Sequence, residues 1–129
     1  MAALTHLDTH VLVWLYLPRL DLLSDLARDT IEDPQSALAV SPVAILELTY
    51  LYEIGRLRVG GEDIFAGLER DLNLTLDRTP FADVVAKAHP LSWTRDPFDR
   101  LIAAQALSAG ARLVSSDGAI RQNLASAVW

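Results

Sequence analysis

Residues 3–15, Ala-Leu-Thr-His-Leu-Asp-Thr-His-Val-Leu-Val-Trp-Leu, change character halfway along. Ala3 to Leu7 has the length of a short strand, whereas Val11, Trp14 and Leu15 recur at helical spacing and share one face. Asp8 therefore stands at a strand-to-helix turn. Pro18 stops that helix, and a second is expected from about Ser24 to Glu32, with Leu26, Ala27, Thr30 and Ile31 turned inward.

The rest of the chain repeats the alternation. Residues 37–40, Ala-Leu-Ala-Val, suit a buried strand. Ser41-Pro42 reads as an N-cap and first helical residue, opening a helix to about Ile54. Gly55 and Gly60-Gly61 punctuate the middle, and Glu62 to Asp71 has a helical pattern through Ile64, Phe65 and Leu68. Leu74 to Leu76 alternates as a strand does. Thr79-Pro80 and Asp96-Pro97 repeat the cap-then-proline signature, opening helices that close at His89-Pro90 and at Gly110. Arg112 to Ser115 is the last expected strand, ended by Asp117-Gly118. Strands alternating with helices imply an α/β fold with a mostly parallel central sheet and helices on both faces. Ligands of such sheets gather beyond the carboxyl ends of the strands.

At 129 residues the chain has the size of one domain, expected to span 1–129, and can bury a core without staples. It has no cysteine, which excludes disulfides, thiolate metal sites and thiol catalysis and fits a reducing compartment. Hydrophobic residues make up 51%, yet no apolar run approaches the ~20 residues that span a bilayer. The first ten residues lack the features of a signal peptide. A soluble cytoplasmic protein is the expectation. The net charge of -6 argues against a broad basic surface for nucleic acid, although acids gathered around a cation would account for part of it.

Four acids stand where hydrophobic elements begin or end: Asp8, Glu47, Asp99 and Asp117. Crowded carboxylates lose hydration and repel, so a cluster needs protons or a hard cation that prefers oxygen ligands. Glu47 interrupts an apolar helix that reads as buried on more than one side, where an unpaired charge is costly. Asp99 heads the stripe Ile102, Ala103 and Ala106. Asp8, Asp99 and Asp117 each also have a local explanation as a cap, a turn residue or a first-turn partner of the helix dipole, and the alternative for Glu47 is that it faces a solvent strip or pairs with an arginine. Capping fully explains Asp96, which is read as mainly structural. Thr9 and Ser115 place hydroxyls beside Asp8 and Asp117, His10 is the one histidine next to the site, and these three join Asp96 as candidate supporting residues. Trp14, Tyr16, Tyr50 and Tyr52 read as core or interface.

With these residues in hand, the chain resembles the PIN-domain nucleases, and among them the VapC-type toxins of bacterial toxin–antitoxin pairs. The resemblance rests on LDTHVLVWL at 7–15, SPVAILEL at 41–48, RDPFDRLIAAQAL at 95–107 and LVSSD at 113–117, in the family's order. It implies a PIN-like three-layer sandwich. It also implies that Asp8, Glu47, Asp99 and Asp117 hold one or two Mg²⁺ or Mn²⁺ ions for hydrolysis of RNA phosphodiesters, with no protein nucleophile. Arg95, Arg100 and His10 are candidates for phosphate contact. A cognate antitoxin and a homodimer are the implied partners, with the helices around Trp14 and Tyr50 as candidate surfaces. Ser115 stands where the family often has threonine, and residues 56–80 match no motif.

Three other readings compete. A phosphatase of the haloacid-dehalogenase type needs a second Asp two residues after the first, and His10 occupies that position. A phosphorelay receiver needs a lysine at a late strand end, whereas Lys87 falls within an expected helix. A PIN fold kept only as a protein-binding scaffold has no need of a repulsive acid cluster.

Overall fold

The computed structural model describes residues 3–129. Its first half runs β1 (Ala3–Leu7), α1 (Thr9–Tyr16), a 3-10 turn (Leu20–Leu22), α2 (Asp25–Glu32), β2 (Ser36–Val40), α3 (Pro42–Glu53) and α4 (Gly61–Leu72). Its second half runs β3 (Thr75–Leu76), α5 (Phe81–Ala88), α6 (Pro97–Ala109), β4 (Arg112–Val114), α7 (Gly118–Asn123) and β5 (Ala127–Val128). Side-chain oxygens of Asp8, Ser24, Ser41, Asp96 and Asp117 cap α1, α2, α3, α6 and α7. Each such cap satisfies an otherwise orphaned backbone N–H and contributes about 1 kcal/mol.

The five strands lie in the order β3-β2-β1-β4-β5, and every pairing is parallel. The expected α/β architecture is therefore present, with a sheet wholly rather than mostly parallel. From β1 the chain steps outward to β2 and β3, then returns past β1 to β4 and β5. Because parallel crossovers are right-handed, connections made on the outward and return paths cover opposite faces. The direction reverses between β1 and β4, and a crevice opens there at the carboxyl edge. Asp8 follows β1 and Asp117 follows β4, so the topology alone brings both to that edge.

Leu7, Val11, Leu12, Leu48, Leu74, Ile102, Leu113 and Ile120 fill the core with essentially no exposure. One close approach sets how α3 meets α4. A Cβ at Gly61 would lie 2.1 Å from the Ile45 carbonyl oxygen and 2.7 Å from Thr49 Oγ1, so only glycine admits this contact.

Several local expectations need correction. Leu26 is 56% exposed, because the inward stripe of α2 is Ala27, Thr30 and Ile31 and Leu26 lies about 100° around the helix from Ala27. Thr79 does not cap α5; Pro80 occupies that position, and Thr79 instead donates its N–H to Asp77 Oδ1 in a turn. The helix carrying Glu47 is not buried on more than one side, since Leu46 is 61% and Tyr50 46% exposed. Tyr52 is exposed as well, whereas Trp14 and Tyr16 pack against the core. The 3-10 turn, α7 and β5 had no counterpart in the sequence reading.

Candidate functional site

Asp8 follows β1, the middle strand of the sheet, at its carboxyl edge. Its backbone N–H continues the sheet by donating to Val114 O at 3.0 Å, while its side chain turns back to cap α1 by accepting from Thr9 N at 2.8 Å. The other carboxylate oxygen accepts from Ser115 Oγ at 2.6 Å. Ser115 is fully buried, and its oxygen also accepts from Asp117 N at 3.1 Å. One hydroxyl thus ties the ends of β1 and β4 together. Asp117 Oδ1 caps α7 through Ile120 N at 2.9 Å, so both acids have their local, structural explanation as well as a shared location.

Glu47 reaches the same place from α3. Thr9 Oγ1 donates to Glu47 Oε1 at 2.5 Å, joining the helix that follows Asp8 to the third acid. Asp99 arrives from the first turn of α6, whose cap is Asp96; Asp96 Oδ1 accepts from Phe98 N at 2.9 Å and Asp99 N at 3.4 Å. Asp96 is exposed and acts as the expected cap. Tyr50 and Phe98 hold α3 against α6, with ring centroids 5.8 Å apart.

Burial and mutual repulsion shift Asp8, Glu47 and Asp99 in the same direction. Burial pushes the Asp8 carboxyl up, against the opposing pull of its hydrogen bonds from Ser115 and Thr9 and the field of His10, while Asp117 repels it. Burial likewise raises Glu47, opposed by the Thr9 hydrogen bond and reinforced by Asp8 and Asp96. Asp99 is pushed up to about 7, first by burial and then by repulsion from Asp8, Asp96, Asp117 and Glu47. An aspartate that is half-protonated at neutral pH lacks a positive partner. Among the described residues, no group of three or more acidic or histidine side chains converges as a ready-made cation cage. The acids are gathered and mutually repelled, with oxygen lone pairs left beyond those used in capping.

The supporting residues divide. Thr9 and Ser115 contact the acids directly. His10 is exposed and lies beside Trp14 with ring centroids 6.1 Å apart. Arg100 is committed elsewhere: its guanidinium donates to the carbonyls of Ala88 at 2.8 Å, His89 at 2.7 Å and Thr94 at 3.5 Å, bracing the α5–α6 connection. Arg95 is exposed just before the α6 cap.

Sequence reasoning missed a second polar cluster beneath the acids. Buried His6 on β1 shares a 3.0 Å hydrogen bond with Asp77 Oδ2, just beyond β3. Gln105 of α6 donates from Nε2 to Asp77 Oδ1 at 2.9 Å, and its Oε1 accepts from Ser41 Oγ at 2.5 Å. Burial pushes the Asp77 carboxyl up, yet the hydrogen bonds from Thr79 and Gln105 outweigh it and hold the group down at about 2. Burial lowers His6, with Asp77 opposing, and because the Asp77 carboxylate can only accept, Nε2 is the donor of their hydrogen bond. Asp77 follows a short strand as Asp8 and Asp117 do, and that shared pattern was the available signal.

The chain is similar to known proteins in sequence and in fold. Residues 6–123 match the family described as PIN domain. The chain is 34% identical to Ribonuclease VapC22 of Mycobacterium tuberculosis over 119 residues, covering 91% of this chain and 89% of that one. Its fold is similar to that in the VapBC2 structure from Rickettsia felis bound to a promoter DNA fragment, with a TM-score of 0.60 and 16% identity over 96% of this chain and 95% of that one. It is also similar to VapBC-1 of nontypeable Haemophilus influenzae, with a TM-score of 0.56 and 18% identity over 92% and 90% of the two chains. On the family match and the extent of the curated relative, this chain belongs to the PIN-domain family, within its VapC-type branch.

Proposed function

We propose that the protein is a divalent-metal-dependent endoribonuclease and the toxin of a toxin–antitoxin pair. The observation that carries this reading is that Asp8, Glu47, Asp99 and Asp117 come from β1, α3, α6 and the end of β4 with charges close enough to act on one another, Asp99 being raised to about 7 by burial and by repulsion from the other acids. The donor set is all carboxylate oxygen, which suits Mg²⁺ or Mn²⁺. These four acids would hold one or two such ions, which when bound activate water and offset negative charge on the scissile phosphate. The chain's own residues do the rest. Ser115 and Thr9 fix the carboxylates of Asp8 and Glu47, Asp117 and Asp96 are held by their caps, and His10 and Arg95 stand at the exposed rim to meet phosphate.

The RNA substrate is supported by the ribonuclease relative, and the antitoxin partner by the VapBC neighbours. The exposed apolar residues of α3, Leu46 and Tyr50 with Tyr52 and Ile54 beyond, give a protein partner a surface, either antitoxin or a second copy in a homodimer. Among the described residues no helix is long and apolar enough to cross a membrane, which agrees with the cytoplasmic site of action we assign. The test is cleavage of defined RNA by the purified protein. We expect activity with Mn²⁺, none with EDTA, and none for Asp8→Asn. Full activity of Asp8→Asn in a preparation free of contaminating nuclease leaves the scaffold reading in its place.

A further inference from the structure

The cluster of Ser41, Gln105, Asp77 and His6 has no part in the chemistry proposed above, yet three of its four members are buried and its bonds are directional. Ser41 and His6 are 1% exposed and Gln105 4% exposed. Every polar end of the Gln105 amide is used: Oε1 accepts from Ser41 Oγ, and Nε2 donates to Asp77 Oδ1 and, at 3.3 Å, to Asp77 O. Ser41 Oγ in turn accepts from Val43 N at 3.1 Å, which fixes the first turn of α3. With Nε2 of His6 donating to Asp77, the buried Nδ1 is left without a partner among the described residues.

The members sit at fixed offsets from the acids. Ser41 is six residues before Glu47 on the same helix, Gln105 six residues after Asp99 on the same helix, and His6 two residues before Asp8 at the end of the same strand. One chain of side-chain hydrogen bonds therefore joins three of the four acid-bearing elements, with Asp77 as the hub. Stability alone does not call for it, since apolar side chains of the same shape often serve a core equally well. Apolar packing tolerates small slides of a helix, whereas a hydrogen bond accepts a narrow range of distance and angle. Ligating carboxylates must be held within about 0.5 Å of their working positions.

We infer that Ser41, Gln105, Asp77 and His6 are positioning residues, locking the register of α3, α6 and β1 so that Glu47, Asp99 and Asp8 meet at one cation site. The inference rests on the cation-site reading proposed above. Gln105 is the keystone, because it alone links α3 to α6 through Ser41 and to the sheet through Asp77.

The experiment is calorimetric titration of folded, RNA-free protein with Mn²⁺, paired with the kcat and KM of RNA cleavage. Wild type should bind Mn²⁺ saturably, and Asp8→Asn should not. Gln105→Met keeps the side-chain length but neither accepts from Ser41 nor donates to Asp77. It should weaken Mn²⁺ binding about tenfold and lower kcat with KM for RNA unchanged. Val84→Ala is the comparator: Val84 is buried between α5 and α6 in an apolar group with Ala88 and Ala104 and makes none of the cluster's hydrogen bonds, and its truncation should lower the melting temperature with Mn²⁺ affinity unchanged. If Gln105→Met does not fold, Ser41→Ala cuts the α3–α6 link alone and should weaken Mn²⁺ binding in the same direction. Wild-type affinity in the variant that folds overturns the inference, as does equal weakening by Val84→Ala. Absence of Asp8-dependent Mn²⁺ binding in wild type instead overturns the cation-site reading, and this inference with it.

Discussion

Replacing Asp99 by asparagine should make the metal-free protein more stable. Asp99 is raised from the ordinary 3.8 to about 7 by burial and by the surrounding acids. The folded chain therefore holds the Asp99 proton more tightly than the unfolded chain does. Stability from this group is fully present below pH 4 and is lost as pH rises through about 7. Roughly three units at 1.36 kcal/mol each would be about 4 kcal/mol. Asp99 is only half-buried, so solvent and salt reduce this to on the order of 1–2 kcal/mol. For a domain of this size that is a melting-temperature gain of about 4–8 °C. The assay is thermal and urea unfolding of wild type and Asp99→Asn in EDTA at pH 5 and pH 8, then with Mn²⁺. The variant should gain at pH 8, gain less at pH 5, and lose its advantage when Mn²⁺ binds wild type preferentially. A variant no more stable than wild type in EDTA at pH 8 would refute the argument that these acids repel one another across one site.

Other perturbations probe the frame. Gly61→Ala would drive a methyl into the Ile45 carbonyl and should cost about 3 kcal/mol through separation of α3 from α4, read as a lower urea midpoint. Arg100→Ala should lose about 2 kcal/mol with its carbonyl contacts while binding RNA normally, whereas Arg95→Ala should weaken RNA binding with unchanged melting. Asp77 is held down at about 2, so the stability it contributes is present above pH 4 and lost as pH falls toward 2. The gap between wild type and Asp77→Asn in acid unfolding should close across that window; a gap that is constant with pH would contradict it.

Much of the frame was legible because its signals are local. Ser41-Pro42 and Asp96-Pro97 announce helix starts within two residues, and each start is where the structure has it. Asp8 and Asp117 could be read as edge acids because a parallel sheet sends every strand end to the same side. What escaped notice lacks a local signal. The strand Ala127–Val128 is two residues long, and α7 has six, too few for a hydrophobic period to emerge. Leu26 was misplaced because a short helix tolerates more than one apolar stripe. The His6–Asp77 and Ser41–Gln105 bonds join residues 71 and 64 positions apart, which only the folded chain brings together. Arg100 illustrates the same limit: next to an acid motif it invites a phosphate, and only the nearby carbonyls reveal its use.

The central claim is that four acids act as one unit, and a double-mutant cycle on metal-dependent RNA cleavage tests it most directly. Asp8→Asn and Asp117→Asn, each measured at the one Mn²⁺ concentration that saturates wild type, should remove nearly all activity singly, and the double variant should be no worse than the more impaired single one. Losses that multiply, each variant contributing its own partial factor, would mean that Asp8 and Asp117 act independently and that the shared carboxylate site does not exist.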